Sequence, residues 1–112
     1  MSNVARMEIP NRMSSVNVRM LIDDMPIVAT MDYILSDTGI TPVAVWVKTK
    51  KSESTLDREL RSSGKAVSLL LQYGCSIKEV SETFTRDSII GSVVWYLYKN
   101  LEDILQGNQP DK

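Results

Sequence analysis

Histidine is absent from this chain of 112 residues, and cysteine occurs once, as Cys75. Because the usual zinc sites are built from cysteine and histidine, one copy of the chain cannot supply their ligand sets. Histidine-based acid–base catalysis and Ser-His-Asp triads are excluded in the same way. A single cysteine also rules out an intramolecular disulfide, and with it a disulfide-stapled secreted scaffold. These absences predict a protein that holds no metal, uses no cofactor and is not an enzyme.

Long apolar runs and glycine-rich loops are also missing. The apolar runs at residues 69–71 (LLL) and 93–98 (VVWYLY) are far too short to span a bilayer. The five glycines are scattered, so no loop of the kind that cradles phosphates is present. Residues 1–13 mix charged, polar and apolar side chains, which argues against a signal peptide. We therefore expect a cytoplasmic protein with no membrane partner.

Neither sign of charge dominates the chain. Lysine and arginine number 13 and the acidic residues 14, for a formal net charge of -1. No overall basic field therefore attracts the protein to nucleic acid or to anionic lipid. The length fits one domain over residues 1–112, with a core from about residue 8 to residue 105 and a polar tail over 106–112.

Apolar and polar residues alternate three times in the first half of the chain. This period of two is typical of half-buried strands, and the apolar sets are Val16, Val18, Met20 and Ile22, then Ile27, Ala29, Met31 and Tyr33, then Val43, Val45 and Val47. Turn-forming residues separate the sets at 23–26 and 36–39. Three short strands joined by tight turns predict an antiparallel meander.

The second half changes to a helical period. One apolar stripe over residues 55–73 predicts a long amphipathic helix, with Leu56, Leu60, Val67, Leu70 and Leu71 inward and Asp57, Arg58, Arg61, Lys65 and Gln72 toward solvent. Gly74 then ends the helix. Ser76 with Glu79 forms a capping box for a second helix, and Asp87 or Ser88 caps a third. The predicted fold class is α+β, with a three-stranded antiparallel meander followed by three helices packed on one face.

Residues 69–97 have the layout of a helix-turn-helix, which raises the question of DNA binding. A groove-reading helix presents polar and basic side chains and makes several phosphate contacts. The third helix begins SIIGSVVWYLYKN, without arginine, and Arg86 just before it is the one well-placed cation. We favour a buried core helix, and a nucleic-acid-binding regulator is the alternative.

A second set of cations follows the third strand and continues along the first helix. It consists of Lys48, Lys50, Lys51, Arg58, Arg61 and Lys65. Acidic residues interrupt the set at Glu53, Asp57 and Glu59. A solvated face of mixed charge is the favoured interpretation, and a patch that binds phosphates or acids is the alternative.

Aromatic residues suggest where a partner would bind. Trp46 falls on the polar side of the third strand, and Trp95, Tyr96 and Tyr98 surround the third helix. A helix that is apolar on nearly every side is either central or buries its second face against another chain. These four residues are the candidate partner-binding residues, with a homodimer as one form of contact. Cys75, at a helix junction, is expected to be a small buried residue.

One stretch resembles a known family. The sequence AVSLLLQYGCSIKEVSETFTRDS, residues 66–88, is similar to the TSCPD domain near the C-terminus of adenosylcobalamin-dependent ribonucleotide reductases, and to small stand-alone proteins of bacteria and phages that carry this domain. The matching features are the helix ending in LQYG at Gly74, the short helix that follows, and Phe84-Thr85-Arg86. IPNRMSS, residues 9–15, resembles the family's entry into its first strand. The Thr-Ser-Cys-Pro-Asp motif that names the family is missing, and Cys75 stands where the family commonly has valine.

The resemblance implies an accessory role beside a reductase and no reductase activity of this chain, because that chemistry needs at least three thiols and the chain has one. The first hypothesis is therefore a non-catalytic accessory or regulatory module that binds a protein, either a ribonucleotide reductase subunit or a host protein contacted by a phage-encoded chain. The alternative hypothesis is the helix-turn-helix-like regulator that binds nucleic acid.

Overall fold

The computed structural model describes residues 13–36, 39–50 and 54–106. The strands are β1 (Ser14–Ile22), β2 (Met25–Ser36) and β3 (Gly39–Thr49), and the helices are α1 (Thr55–Gln72), α2 (Ile77–Thr83), α3 (Ile89–Lys99) and α4 (Leu101–Leu105). The strands form one antiparallel sheet in the order β1-β2-β3, so the predicted α+β fold with its meander is confirmed. Lys51, residues 8–12, turn residues 37–38 and tail residues 107–112 lie outside the described residues.

A two-residue turn fixes the register of the first hairpin. Asp23 and Asp24 have φ angles of 51° and 64°, and Ile22 pairs with Met25 across them. Positive φ at both central residues is the signature of a type I′ turn, whose twist matches that of the strands. The register that follows puts the predicted apolar sets on one face of the sheet, as the row Val18–Ala29–Val47 shows.

One hydrophobic cluster joins that inner face of the sheet to the helices. Its members that are at most 1% exposed are Val18, Ile27, Ala29, Met31, Val45, Val47, Val67, Leu71, Val80, Val93, Val94 and Leu97. Burying an aliphatic side chain of this size contributes roughly 1.5–3 kcal/mol relative to leaving it in water. The helices therefore cover one face of the sheet, and among the described residues no element covers the other face, which we call the open face.

Helix α1 lies along the outer edge of β3 and supplies hydrogen bonds that a further strand would otherwise make. Ser68 Oγ accepts from Val45 N at 2.9 Å, and Gln72 Nε2 donates to Val43 O at 3.0 Å. The α1 residues that face this edge include Asp57, whose Oδ1 accepts from the backbone N of Thr49 at 3.2 Å. Covering an edge strand in this way removes a site for unwanted pairing.

The placement of Asp57 and Gln72 corrects the sequence prediction. Both were assigned to the solvent side of α1, but they are only 4% and 6% exposed. The helical period sorts polar from apolar residues, whereas the unpaired backbone of β3 needs polar partners in a buried position. Gly64 belongs to the same contact, because a Cβ atom there would lie 2.9 Å from Val45 O.

Serine residues begin three of the helices, as the sequence predicts for two of them. Ser76 Oγ accepts from Glu79 N at 3.1 Å, and Glu79 Oε1 accepts from Ser76 N at 2.8 Å, which completes the capping box. Ser88, rather than Asp87, caps α3, and Ser54 caps α1. These caps satisfy N–H groups that have no partner inside the helix.

The third predicted helix is interrupted at Asn100, so four helices follow the sheet within residues 54–106. The Asn100 side chain donates from Nδ2 to Tyr96 O at 2.9 Å, and its φ of -114° is not helical. A side-chain amide that bonds the preceding turn offers the backbone an alternative to continuing the helix. Leu101–Leu105 then forms a separate helical turn that buries Ile104.

Candidate functional site

The turn between α2 and α3 places Arg86 beside the middle of α3. Ser92 Oγ donates to Arg86 O at 2.6 Å, and Ser88 Oγ donates to Thr85 O at the same distance. Gly91 lets this turn lie directly against the helix, since a Cβ atom there would be 1.9 Å from Thr85 O. The backbone of Arg86 is thereby tied to the first turn of α3.

Arg86 and Lys99 both lie over the ring of Trp95. Arg86 Cζ is 4.6 Å from the ring centroid and Lys99 Nζ is 5.7 Å from it, while Lys99 Nζ is also 6.0 Å from the centroid of Tyr98. Such cation–π contacts contribute about 0.5–1 kcal/mol each at exposed sites. We call Arg86, Trp95, Tyr98 and Lys99 the α3 patch.

The α3 patch has the chemistry of a docking site for an acidic segment. Its two aromatic side chains are half-buried, and its two cations are exposed. Contact with an aromatic face leaves the N–H groups of Arg86 and Lys99 able to donate outward to carboxylates. Trp95 offers a large, stiff apolar surface that costs little conformational entropy to bind. The patch therefore unites three predicted partner-binding or anion-binding residues with Lys99.

Tyr96, the other aromatic candidate on α3, is oriented differently. Its side chain packs against the core, and its buried hydroxyl has no hydrogen-bond partner among the described residues. Desolvation by burial raises the pKa of Tyr96 above its ordinary value, because the phenolate would lose its hydration. Tyr96 thus belongs to the packing beneath the patch.

Tyr96→Phe is expected to lower the sensitivity of the fold to alkaline pH. The folded pKa of Tyr96 is raised, so its neutral form contributes stability that is present below about pH 10 and lost as the pH rises through the folded pKa. Removing a hydroxyl without a partner is expected to leave stability at neutral pH unchanged or higher. Urea unfolding of both proteins at about pH 8 and about pH 11 tests this; an identical loss of stability in the two proteins would contradict it.

The other predicted cations and Trp46, as far as they lie within the described residues, are on or next to β3 and on α1, outside the α3 patch. Trp46 and Lys48 project from the open face of the sheet, where Trp46 is 41% exposed. The helix cations Arg58, Arg61 and Lys65 surround a shallow surface hollow of about 380 Å³. Arg61 Nε is 3.4 Å from Asp57 Oδ2. The two predicted cation groups therefore lie on different elements, with Arg86 in the turn before α3 and the others on or next to β3 and on α1.

Two residues of the open sheet face were not singled out from the sequence. Arg19 pairs across the sheet with Val28, which pairs with Lys48, and Asp32 accepts a hydrogen bond from Trp46 Nε1 at 3.1 Å. Strand parity could have found them, because alternate residues of paired strands share a face. Arg19 and Asp32 become part of one surface only when the polar positions of all three strands are considered together.

The first turns of α3 do not have the exposure of a groove-reading helix. Ile90, Gly91, Val93 and Val94 are all buried. Most of the apolar surface of α3 is thus covered within the chain, so a second copy is not needed to cover it. Cys75 is half-buried against the core.

A cleft and a groove also lie on the described surface. A cleft of about 540 Å³ lies between the start of α2 and the α3–α4 junction, and a groove of about 670 Å³ lies beside Arg19, Leu21 and Val28. Within residues 13–36, 39–50 and 54–106, no three His, Cys, Asp or Glu side chains are grouped to hold a metal ion. No helix in the same ranges is long and apolar enough to cross a membrane.

Comparisons of the chain with protein-family models, curated proteins and solved structures found no match.

Proposed function

We propose that this chain is a non-catalytic accessory module that acts by binding another protein through the α3 patch. The observation that carries the proposal is the position of Arg86 and Lys99 over the ring of Trp95, on one accessible stripe of α3. Clusters of an aromatic anchor with arginine are the composition that dominates binding energy in protein interfaces. The partner surface that fits it is an acidic segment with an apolar side chain for the indole.

The similarity to the TSCPD domain supports a ribonucleotide reductase subunit, in the cytoplasm, as the first partner to test. The segment that carries the similarity includes Arg86 and leads directly into α3, so the resemblance and the patch concern the same part of the chain. The phage relatives named by the resemblance support a host protein as the second partner. A homodimer through α3 has less support, because the helix already buries Val93, Val94 and Leu97 within the chain.

A groove-reading role for α3 also has less support than protein binding. Base readout needs polar side chains on the exposed face of the helix, whereas Ile90 and Val93 in its first turns are buried. Arg86 could contact one phosphate, whereas a groove-reading helix makes several phosphate contacts. The α3 patch therefore fits a protein surface better than a duplex groove.

Trp95→Ala is expected to weaken binding to the purified partner about 30-fold, which corresponds to about 2 kcal/mol for a central aromatic anchor. Arg86→Glu is expected to weaken it comparably by placing like charges in contact. Isothermal titration calorimetry with the purified reductase from the same host measures both effects. Thermal unfolding monitored by circular dichroism shows whether each variant keeps its fold.

Tyr73→Ala is the matched control, because Tyr73 is an exposed aromatic residue at the end of α1, away from the patch. It is expected to bind as the unaltered protein does. The proposal is wrong for this surface if folded Trp95→Ala and Arg86→Glu both bind with unchanged affinity. Equal losses in all three variants would likewise point to a general effect on the fold.

A further inference from the structure

The open face of the sheet holds an indole ring that is fixed in place but accessible. Trp46 pairs with Thr30, yet its Nε1 reaches the diagonal neighbour Asp32, to which it donates at 3.1 Å. Ser15 Oγ donates to the other carboxylate oxygen of Asp32, Oδ1, at 2.5 Å. The indole must therefore extend along the sheet surface, and Ala44, opposite Asp32, is only 4% exposed although it faces the same side. This geometry leaves one face of the ring open to solvent.

Cations continue from this ring along the open sheet face. Lys48 follows Trp46 by two residues on the same face, and Arg19 lies in the same cross-strand row on β1. Lys50 lies beyond them, beside the groove next to Arg19 and Val28. Within the described part of the chain, neither Lys48 nor Lys50 forms an ion pair.

Helix α1 adds cations along one side of this face. Gly64 contacts the sheet so closely that a Cβ atom there would be 3.8 Å from the Cα of Trp46. Successive helix residues are rotated by about 100° around the helix axis. Seen from Gly64, which contacts β3, Val67 is turned toward the core. Arg61 and Lys65 are therefore turned to the opposite side. That side of α1 is the side toward the open face. The close contact at Gly64 thus leaves Arg61 and Lys65 on the flank of α1 that borders the open face.

Two acidic residues beside these cations already have partners within the described part of the chain. Asp32 is held by Ser15 and Trp46, and Asp57 is buried against Thr49 and paired with Arg61. Glu59 lies on the flank of α1 that points away from β3, by the same rotation of about 100° per residue. We call the resulting surface the open basic face, and it consists of Trp46 with Arg19, Lys48, Lys50, Arg58, Arg61 and Lys65.

We propose that the open basic face binds single-stranded nucleic acid, with a base stacked on Trp46 and phosphates on the surrounding cations. An accessible aromatic ring within a cationic surface is the arrangement by which proteins bind single strands without sequence preference. Duplex readout instead needs an element that enters a groove, and a flat sheet face offers unpaired bases a stacking surface. A single strand carries a planar base at every nucleotide beside its phosphates, whereas an acidic peptide can stack on the ring only where it has an aromatic side chain. This site is separate from the α3 patch.

Fluorescence anisotropy with labelled oligothymidine DNA and oligouridine RNA of roughly 16 nucleotides tests the proposal, since this length fills one site of this kind. We expect a Kd of roughly 1–100 µM for either oligomer near physiological salt. Trp46→Leu is expected to weaken binding about 5- to 10-fold through the loss of stacking. Lys48→Gln combined with Lys65→Gln should reduce the slope of log K against log salt by about 1.4.

Lys78→Gln, on the exposed side of α2, is the matched control and should leave both the affinity and the salt slope unchanged. The ratio of the DNA and RNA affinities identifies which nucleic acid is preferred, and tight binding of either supports the proposal. Three outcomes overturn it: no binding of either oligomer at low salt, duplex DNA bound as tightly as the single strands, or displacement by polyglutamate at equal charge concentration. If Trp46→Leu does not fold, the lysine variants alone decide the question. Trp95→Ala should not affect this binding, so the two sites can fail separately.

Discussion

Gly91→Ala is expected to destabilise the protein by about 3 kcal/mol or more. An alanine Cβ would lie 1.9 Å from Thr85 O and 2.7 Å from Thr85 C, both of them backbone atoms. The turn must move to relieve that overlap, and overpacking of this kind usually costs about 1–3 kcal/mol, with larger values in severe cases. At an unconstrained helix position the same change would stabilise the helix by up to about 1 kcal/mol. A loss of stability, rather than a gain, would therefore show that the backbone of Thr85 contacts α3 at Gly91.

Urea unfolding followed by circular dichroism measures the change, and Gly64→Ala provides the graded comparison. The nearest atom to a Cβ at Gly64 is Val45 O at 2.9 Å, so a smaller displacement is needed and a smaller loss is expected. If Gly91→Ala is as stable as the unaltered protein, the turn does not lie against α3 as described. The position of Arg86 over Trp95 would then lose its structural explanation as well.

Ser68→Ala is expected to cost about 2 kcal/mol, although it removes a single oxygen atom. Ser68 is 3% exposed, and its hydroxyl accepts from Val45 N at 2.9 Å. Its proton is within reach of Gly64 O at 2.8 Å and of Val45 O at 3.1 Å. Leaving a buried backbone N–H group without a partner costs about 1–3 kcal/mol. The loss measures how much α1 stabilises the outer edge of β3.

Ser81→Ala is the control for the Ser68 substitution. Ser81 is also buried, at 5% exposure, but its hydroxyl donates to Lys78 O in the same helix. We expect a cost below about 1 kcal/mol there, since only a local hydrogen bond is lost. Amide hydrogen exchange should show faster exchange at Val45 in Ser68→Ala alone. Equal costs for the two serines would mean that the edge contact adds nothing special to stability.

The sheet was predictable because inner and outer residues alternate over most of each strand, with an interruption where the β2–β3 register shifts between Asp32 and Tyr33. Val18, Ala29 and Val47 each stand in an alternating run, and the paired aspartates at residues 23 and 24 mark the turn between the first two. The α1 contact was not predictable, because a helical period cannot say that a buried polar residue such as Asp57 faces an edge strand. The interruption at Asn100 depends on one side-chain hydrogen bond, which periodicity does not detect.

The candidate surfaces were predicted as residues but not as arrangements. Arg86 was assigned to nucleic-acid binding and Trp95 to protein binding, because the sequence does not show that the turn after α2 folds back on α3. The same limit separated Trp46 from the cations of α1, although the backbone of α1 at Gly64 lies close to the backbone of Trp46. In both cases a small residue, glycine, permits a backbone contact that creates a surface from distant parts of the chain. Such contacts depend on tertiary packing and leave little local trace.

The most direct test of the central claim is a quantitative pull-down of the tagged chain from lysate of its native host. The unaltered protein, Trp95→Ala and the control Tyr73→Ala are compared, each with and without nuclease, by mass spectrometry. We expect the unaltered chain and Tyr73→Ala to recover one protein in stoichiometric amount. Its recovery should be resistant to nuclease, and Trp95→Ala should not recover it. A ribonucleotide reductase subunit in that position would connect the α3 patch to the TSCPD resemblance. Recovery that is unchanged in Trp95→Ala, or that disappears with nuclease, would contradict the claim that α3 binds a protein.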